Sequence, residues 1–406
     1  MHTKYLAYAI PLFVILMVIE FWITKKQGRK LHNFQDTIAN LNVGIAERLT
    51  DCFTAGIFYF VYDYLNQHFG IFNIQSGIIS WVALFLVTDL LWYWYHRLGH
   101  EVNILWGLHI VHHQSEEFNF TVSARITIFQ AIARTFFWSL LPIIGFSAEM
   151  ITVVLLVHGI YPFFTHTRTV GKLGFLEYIL VTPSHHRVHH ACNEQYLDKN
   201  YSDMFIIWDK IFGTFAEEVE EPVYGLTKPI KSYSFLWQHF HYLLELLHAC
   251  KQTPGLKGKL RILLSKPETL DPNIRELLEP KFLVQVAQEV SSTRFRNYIV
   301  IQISVVLVSL FYLIYNQEQL PTLVQVFTSL IILVTLVNCG AILEQRRWVF
   351  YLEYSRLLLF IPISISLFPN MINQTSLVIL VVFISLFFKT IKDQYFKLLY
   401  GISNHS

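Results

Sequence analysis

Charged residues are scarce in this chain of 406 residues. Only 15% of them are Asp, Glu, Lys or Arg and 53% are hydrophobic, whereas about a quarter of the residues of a soluble domain are charged. The formal net charge of +2 is too small to indicate binding to nucleic acid. The four cysteines include no C-x-x-C pair, so neither a disulfide framework nor a thiolate zinc site is indicated. The composition predicts a membrane protein.

Apolar runs near the length needed to cross about 30 Å of hydrocarbon recur along the chain. Basic residues follow the first run, 5–24, where a signal peptide would have a small-residue cleavage site, so we expect a retained anchor. Further runs lie at 44–64, 77–95, 126–146, 148–166, 298–315, 321–342, 349–368 and 375–389. Arg134 interrupts the 126–146 run, and a turn at Gly145 joins it to the next, which predicts a hairpin whose arms need not span independently.

The distribution of Lys and Arg predicts the orientation in the membrane. Basic residues follow the first run and occupy 167–297 and the segments after the last spans, whereas loops 65–76, 316–320 and 369–374 carry none. By the positive-inside rule the amino terminus is outside, and 167–297 and the carboxyl terminus are cytosolic.

We therefore predict an all-α protein, a multi-pass transmembrane helical bundle with a cytosolic, helical, histidine-rich catalytic cap. The predicted divisions are N-terminal transmembrane helices at 1–76, a catalytic domain at 77–220, a cytosolic connecting segment at 221–297 and C-terminal transmembrane helices at 298–406. The active site is expected on the cytosolic face, of the endoplasmic reticulum in a eukaryote or of the inner membrane in a bacterium.

Histidine is abundant, with 18 residues, and eight of them form three spaced groups. Spacings of three and four place side chains on one face of a helix. Eight imidazoles exceed what one four- to six-coordinate ion can use, so the groups predict two metal ions. One H-x-x-x-H at a membrane helix end is often an interfacial anchor, but the three groups together favour metal binding. They are His96 and His100; His109, His112 and His113; and His186, His189 and His190.

The ligand type leaves the metal open among iron, zinc, copper and nickel. Zinc would suit hydrolysis and iron would suit oxygen activation. A site at the membrane surface with apolar access favours oxidation of a lipid C–H bond, and therefore two iron ions. A metal transporter is the alternative from another class, because histidines can line ion paths, but the predicted groups converge at one membrane face.

The order of the groups resembles the fatty acid hydroxylase and sterol desaturase superfamily of membrane di-iron enzymes. The segments WYHRLGHEVNILW (94–106), TPSHHRVHH (182–190), DKNY (198–201) and IWDKIFGTF (207–215) are similar to its members that cleave ether lipids. The resemblance implies oxidation of the ether-linked carbon of a membrane lipid by O2, with tetrahydrobiopterin as the reductant. The alternative is a fatty acyl or sterol hydroxylase or desaturase that receives electrons from a separate donor protein.

Two further histidines enter through this resemblance. His166 matches the additional family histidine and is expected to be a ninth ligand. His158 lies eight residues earlier, with Pro162 between them, and ligation or packing in the helix bundle are both open. His185 falls outside the H-x-x-H-H register and is expected to lie behind the ligands.

Three carboxylates are candidates for orienting the imidazoles, since a metal-bound histidine usually donates its other N–H group. Asp89 lies seven residues before His96 in an apolar run, where an unpaired charge is costly. Glu101 follows His100, and Asp209 lies in the Trp-Asp-Lys stretch; either can instead be a solvated surface charge. We include Asp89 and Glu101 among the predicted catalytic residues. The pterin site is not located by the sequence.

Overall fold

The computed structural model describes residues 3–283 and 292–400, and these residues are helical apart from loops, turns and two isolated β-bridges. The all-α prediction is confirmed. The α-helices are α1 (Ala9–Lys26), α2 (Phe34–Phe69), α3 (Ile78–Glu101), α4 (Asn103–His109), α5 (Phe120–Ser123), α6 (Gln130–Trp138), α7 (Leu140–Ile144), α8 (Ala148–Thr165), α9 (Pro183–His189), α10 (Ile207–Phe212), α11 (Phe235–Gln252), α12 (Gly255–Leu264), α13 (Asn273–Phe282), α14 (Thr293–Tyr315), α15 (Thr322–Leu343), α16 (Val349–Arg356), α17 (Phe360–Leu367), α18 (Met371–Leu386) and α19 (Phe388–Tyr400).

Six helical segments within the described residues are long and apolar enough to cross a membrane. They are Lys4–Lys26, Ile78–Glu101, Ala148–Thr165, Thr293–Tyr315, Thr322–Leu343 and Val349–Leu367. A seventh is possible if α18 and α19, which are bent by 70° at their junction, form one span. The predicted span at 44–64 lies inside the 36-residue helix α2, which is not among the six because Glu47, Arg48 and Asp51 reduce its apolar character.

One compact unit comprises Leu16–Lys231 and Trp237–Leu283. Within it α3 packs against α8, and α2 packs against both α7 and α8. The predicted hairpin is present in altered form: its first arm is broken into the short helices α6 and α7, while its second arm, α8, is itself a candidate span.

The turn of this hairpin is fixed to the loop between α2 and α3. The backbone N–H of Ile71 donates to the Ile143 carbonyl at 2.8 Å, and that of Phe72 donates to the Ile144 carbonyl at 3.1 Å. Gly145 has φ +127°, and an added Cβ would lie 2.0 Å from the Phe72 oxygen. Only glycine fits this turn, which lies at the end of α8 opposite His166.

The other compact unit comprises Met1–Ile15, Ser232–Leu236 and Val284–Ser406. Helix α14 packs against α15, and α15 packs against α16 and α17. Arg356 donates to Gln302 at 3.0 Å and to Thr335 at 2.7 Å, so its charge is held by polar partners inside this unit. The predicted domain boundaries after residues 76, 220 and 297 remain predictions.

Candidate metal centre

The three histidine groups occupy the ends of short or membrane-spanning helices. His96 and His100 lie in the last turns of α3, and His109 ends α4. His112 and His113 belong to the following 3-10 turn, Ile110–His113, and His166 directly follows α8. Helix α9 begins after Thr182 with Pro183, a favourable first residue. It carries His186 and His189 of the third group, and His190 directly follows it.

The structure gathers nine histidines into two sets. In each set, one ring nitrogen of every residue lies within 4.8 Å of the corresponding atoms of the others. The rings of His113 and His190, one from each set, are stacked with centroids 4.4 Å apart, so the sets are adjacent. The first set is His96, His100, His109, His113 and His189; the second set is His112, His166, His186 and His190.

Distances inside each set suit a shared metal ion. The Nε2 atoms of His96 and His109 are 3.0 Å apart, and those of His109 and His113 are 3.1 Å apart. In the second set the Nε2 atom of His166 is 3.2 Å from that of His112 and 3.0 Å from that of His186. Metal–imidazole bonds of about 2.0–2.1 Å bring neighbouring nitrogens to about this separation.

Backbone carbonyls orient several of these rings. Because a carbonyl only accepts, each Nδ1 that faces one carries the proton and leaves the Nε2 lone pair for a metal. The pairs are His96 with the Tyr201 carbonyl at 2.7 Å, His189 with Lys199 at 3.0 Å, His112 with Arg125 at 3.1 Å and His166 with Pro162 at 2.5 Å.

Burial keeps the imidazoles outside the spans neutral. It lowers the pKa of His166 to about 4, and burial together with neighbouring histidines lowers the pKa of His113 and His190 well below 6.5. In addition, the Nε2 atoms of His100, His189 and His190 are buried without a hydrogen-bond partner in the described part of the chain. Neutral nitrogens with unused lone pairs are what a metal ion requires.

The candidate carboxylates lie elsewhere than the sequence suggests. Asp89 accepts the backbone N–H groups of Met204 at 3.0 Å and Phe205 at 3.1 Å and the indole N–H of Trp208 at 2.8 Å, and it orients none of the nine imidazoles. Glu101 pairs with Arg97 at 2.9 Å at the surface, with 30% of its side chain exposed.

Asp209, by contrast, is completely buried. It accepts the backbone N–H groups of Tyr201 at 2.8 Å and Ser202 at 2.9 Å. Through them it fixes the loop whose Tyr201 carbonyl orients His96, so it supports the site through the backbone.

His158 is not brought into either set. Its Nδ1 lies 2.7 Å from Asp203 Oδ2, and the two residues form a separate buried group with Asp89. His185 is also outside both sets: its Nδ1 accepts the Thr182 N–H at 3.3 Å, at the start of α9.

Two features that support the histidine sets are not marked by any spacing pattern in the sequence. Arg125, 1% exposed, donates to the Val111 carbonyl at 2.7 Å and to Gln114 at 2.5 Å, while its own carbonyl orients His112. In the DKNY stretch, Asp198 and Asn200 have positive φ of 57° and 54°, a conformation that Asp and Asn tolerate better than most residues. This double turn presents the Lys199 and Tyr201 carbonyls to the first set.

Two adjacent histidine sets beside membrane-spanning helices define a class, the integral-membrane enzymes with a dimetal site. Residues 81–214, which contain all nine histidines, match the fatty acid hydroxylase family. The alkylglycerol monooxygenase of Homo sapiens is 33% identical over 366 residues, 88% of this chain and 82% of that protein. That of Danio rerio is 32% identical over 367 residues, covering 88% and 81%.

A more distant relative is the ornithine lipid hydroxylase OlsE of Rhizobium tropici, 26% identical over 209 residues, which cover 51% of this chain and 63% of that protein. No solved structure matches. The chain belongs to the fatty acid hydroxylase family: it is a multi-pass membrane oxidoreductase whose histidine clusters suit a di-iron site.

Proposed function

We propose that this protein is a di-iron monooxygenase that cleaves the ether bond of alkylglycerols, with tetrahydrobiopterin as reductant. The observation that carries the proposal is the pair of adjacent histidine sets at the ends of α3 and α8, in a chain similar to alkylglycerol monooxygenases over 88% of its length. The catalytic domain is assigned to 77–220, and the nine histidines are assigned as ligands.

The first histidine set would hold one iron and the second set the other. When bound, the iron pair would supply the activation of O2, chemistry that imidazole-ligated iron supports. In the overall reaction one oxygen atom enters the C–H bond beside the ether oxygen and the other leaves as water, with two electrons from the pterin. The hydroxylated carbon then releases a fatty aldehyde and a glycerol derivative.

Residues of this chain keep water away from the histidines. Trp106 lies against His100 with ring centroids 4.9 Å apart. Phe118, which is fully buried, stacks on His166 at 5.5 Å and on Tyr224 at 4.9 Å. An apolar surround of this kind excludes solvent from a reactive centre.

We place the histidine end of α3 and α8 on the cytosolic face, of the endoplasmic reticulum or of a bacterial inner membrane. Lys25 and Lys26 end α1, and Arg29 and Lys30 follow, whereas the α2–α3 loop, which contacts the hairpin turn at the opposite end, has no Lys or Arg. This charge asymmetry is the positive-inside pattern.

The function is tested with the purified full-length protein in lipid-containing micelles, loaded with iron. We expect two irons per chain and formation of fatty aldehyde from an alkylglycerol only when both O2 and tetrahydrobiopterin are present. His113→Ala should reduce activity at least about 100-fold, since even the residues behind metal ligands are worth about 10- to 100-fold. His248→Ala is the matched control, because His248 lies outside both sets and bonds to Gln252 at 3.0 Å.

A second candidate is a lipid hydroxylase supplied by a separate electron-transfer protein, which the similarity to ornithine lipid hydroxylase favours. Hydroxylation of a fatty acyl chain or sterol without pterin would support it and reject ether cleavage. Two zinc ions in active protein would reject oxygen chemistry altogether.

A further inference from the structure

A group of two carboxylates and one histidine lies between α3, α8 and the loop after α9. Asp89 and His158 are completely buried and Asp203 is nearly so. The Nδ1 atom of His158 is 2.7 Å from Asp203 Oδ2 and 3.6 Å from Asp89 Oδ1. We call these three residues the buried triad.

Both carboxylates of the triad already accept hydrogen bonds from the protein. Three N–H groups of the 204–208 segment donate to the Asp89 carboxylate. His158 donates Nδ1–H to Asp203, and its ring lies 4.9 Å from that of Phe85 and is stacked on that of Trp92 at 6.1 Å. The triad therefore fits a hydrogen-bonded anchor better than a third metal site, since its carboxylates have protein donors. The Nε2 of His158, which has no hydrogen-bond partner among the described residues, lies on the other side of the ring.

The segment that the triad anchors continues directly from the DKNY loop. Asp89 on α3 fixes its residues 204, 205 and 208, and His158 on α8 fixes Asp203. Just before Asp203, the loop presents the Lys199 and Tyr201 carbonyls to His189 and His96. Asp198, in the same loop, is 3.4 Å from Nδ1 of His100.

All three of these histidines belong to the first set. The oriented members of the second set take their partners elsewhere: His112 from the Arg125 carbonyl and His166 from the Pro162 carbonyl. Among the described residues, the ring-orienting contacts of the loop that the triad holds are all with first-set histidines. The loop also touches the backbone of α9, where Asn200 Nδ2 donates to the His185 carbonyl at 3.1 Å.

We propose that Asp89, His158 and Asp203 are positioning residues that fix the 198–203 loop and, through it, orient His96, His100 and His189 of the first histidine set. The proposal rests on the proposed function to the extent that both sets hold metal. It predicts that a substitution in the triad lowers iron binding at the first set more than at the second set.

The experiment compares His158→Phe with His158→Asn in the full chain, each loaded with iron-57. Phenylalanine keeps an aromatic ring but removes the donor, whereas the amide of asparagine can still donate to Asp203. We expect iron to fall from two per chain towards one in His158→Phe, with loss of one of the two Mössbauer signals and at least about 10-fold lower activity. His158→Asn should retain both signals.

His241→Phe is the matched control. His241 is also completely buried, lies outside both sets and bonds through Nδ1 to the Trp237 carbonyl. We expect it to keep two irons and both signals. Asp203→Ala removes the acceptor of the His158 Nδ1–H without altering the ring and should also weaken the first position selectively, so it decides the matter if His158→Phe does not fold.

The outcomes separate this inference from the proposed function. Wild-type protein that binds no iron pair would refute the proposed function and this inference with it. A wild type with two irons, together with triad variants that keep both signals or lose both equally, would overturn the positioning role alone. Three metal ions in the wild type and two in His158→Phe would also overturn it, since the triad would then be a metal site.

Discussion

Asp209→Ala is expected to damage both the stability of the protein and its metal centre. The carboxylate is completely buried and accepts the N–H groups of Tyr201 and Ser202, at 2.8 and 2.9 Å, and the Thr214 hydroxyl at 2.7 Å. Alanine leaves two buried N–H groups without an acceptor, and each such group costs about 1–3 kcal/mol. The substitution should therefore destabilise the protein by about 2–6 kcal/mol.

The assay is thermal unfolding of the purified protein, followed by intrinsic fluorescence, with iron content measured in parallel. A loss of 1 kcal/mol lowers the midpoint by about 2–4 °C in a large domain, so Asp209→Ala should melt at least about 4 °C below wild type. It should also bind less iron, because the displaced Tyr201 carbonyl orients His96. Asp209→Asn, which keeps one acceptor oxygen, should fall between the two.

The control for this prediction is Asp271→Ala. Asp271 is exposed and also accepts a backbone N–H group, that of Asn273 at 2.9 Å. Water can replace its carboxylate there, so the change should cost less than about 1 kcal/mol. If Asp209→Ala unfolds at the same temperature as wild type and binds two irons, Asp209 does not support this loop and the prediction is wrong.

Two further predictions concern packing and pH. In Gly44→Ala the new Cβ would lie 2.5 Å from the Ala124 oxygen, so we expect a loss of about 1–3 kcal/mol in the same melting assay. Gly56→Ala, in the same helix with nothing within 4 Å, should gain up to about 1 kcal/mol; equal midpoints would contradict this. Burial lowers the pKa of His166 to about 4, against about 6.5 in the unfolded chain. The unfolded chain therefore binds the extra proton between these values, and the metal-free protein should lose about 3 kcal/mol from this group as pH falls from 6.5 to 4; a midpoint independent of pH would refute it.

Hydropathy predicted the six candidate spans well because the cost of exposing backbone and charge to hydrocarbon depends mainly on local composition. It was less successful for α2. The buried half of this helix contains Asn40 and Glu47, and both have partners distant in the chain. Asn40 accepts from Arg125 at 2.9 Å, and Glu47 lies 3.4 Å from Arg134. A hydropathy window contains no information about those partners.

The same limit applies to the candidate site. Helical spacing is local, so the three histidine groups can be found in the sequence, and the family resemblance adds His166. Carboxylate roles depend on tertiary contacts, and for that reason Asp89 and Glu101 were assigned to the histidines while the structure gives them other partners. The orienting groups are mostly backbone carbonyls, which every residue has, and no residue type marks them.

The histidines of each H-x-x-H-H group are divided between the two sets, and the spacing within the group makes this division possible. His109 and His113, four residues apart, belong to the first set, whereas His112 between them belongs to the second. In the other group His186 and His190 belong to the second set, and His189 belongs to the first. Each group thus offers a pair of ligands to one position and a single ligand across to the other, because residues one apart on a helix point about 100° away from each other. This exchange links the two positions, since neither set can be completed by the histidines of one group. For either ion to be held, the turn Ile110–His113 must lie against His189 and His190, as their ring contacts of 4.4–4.8 Å show.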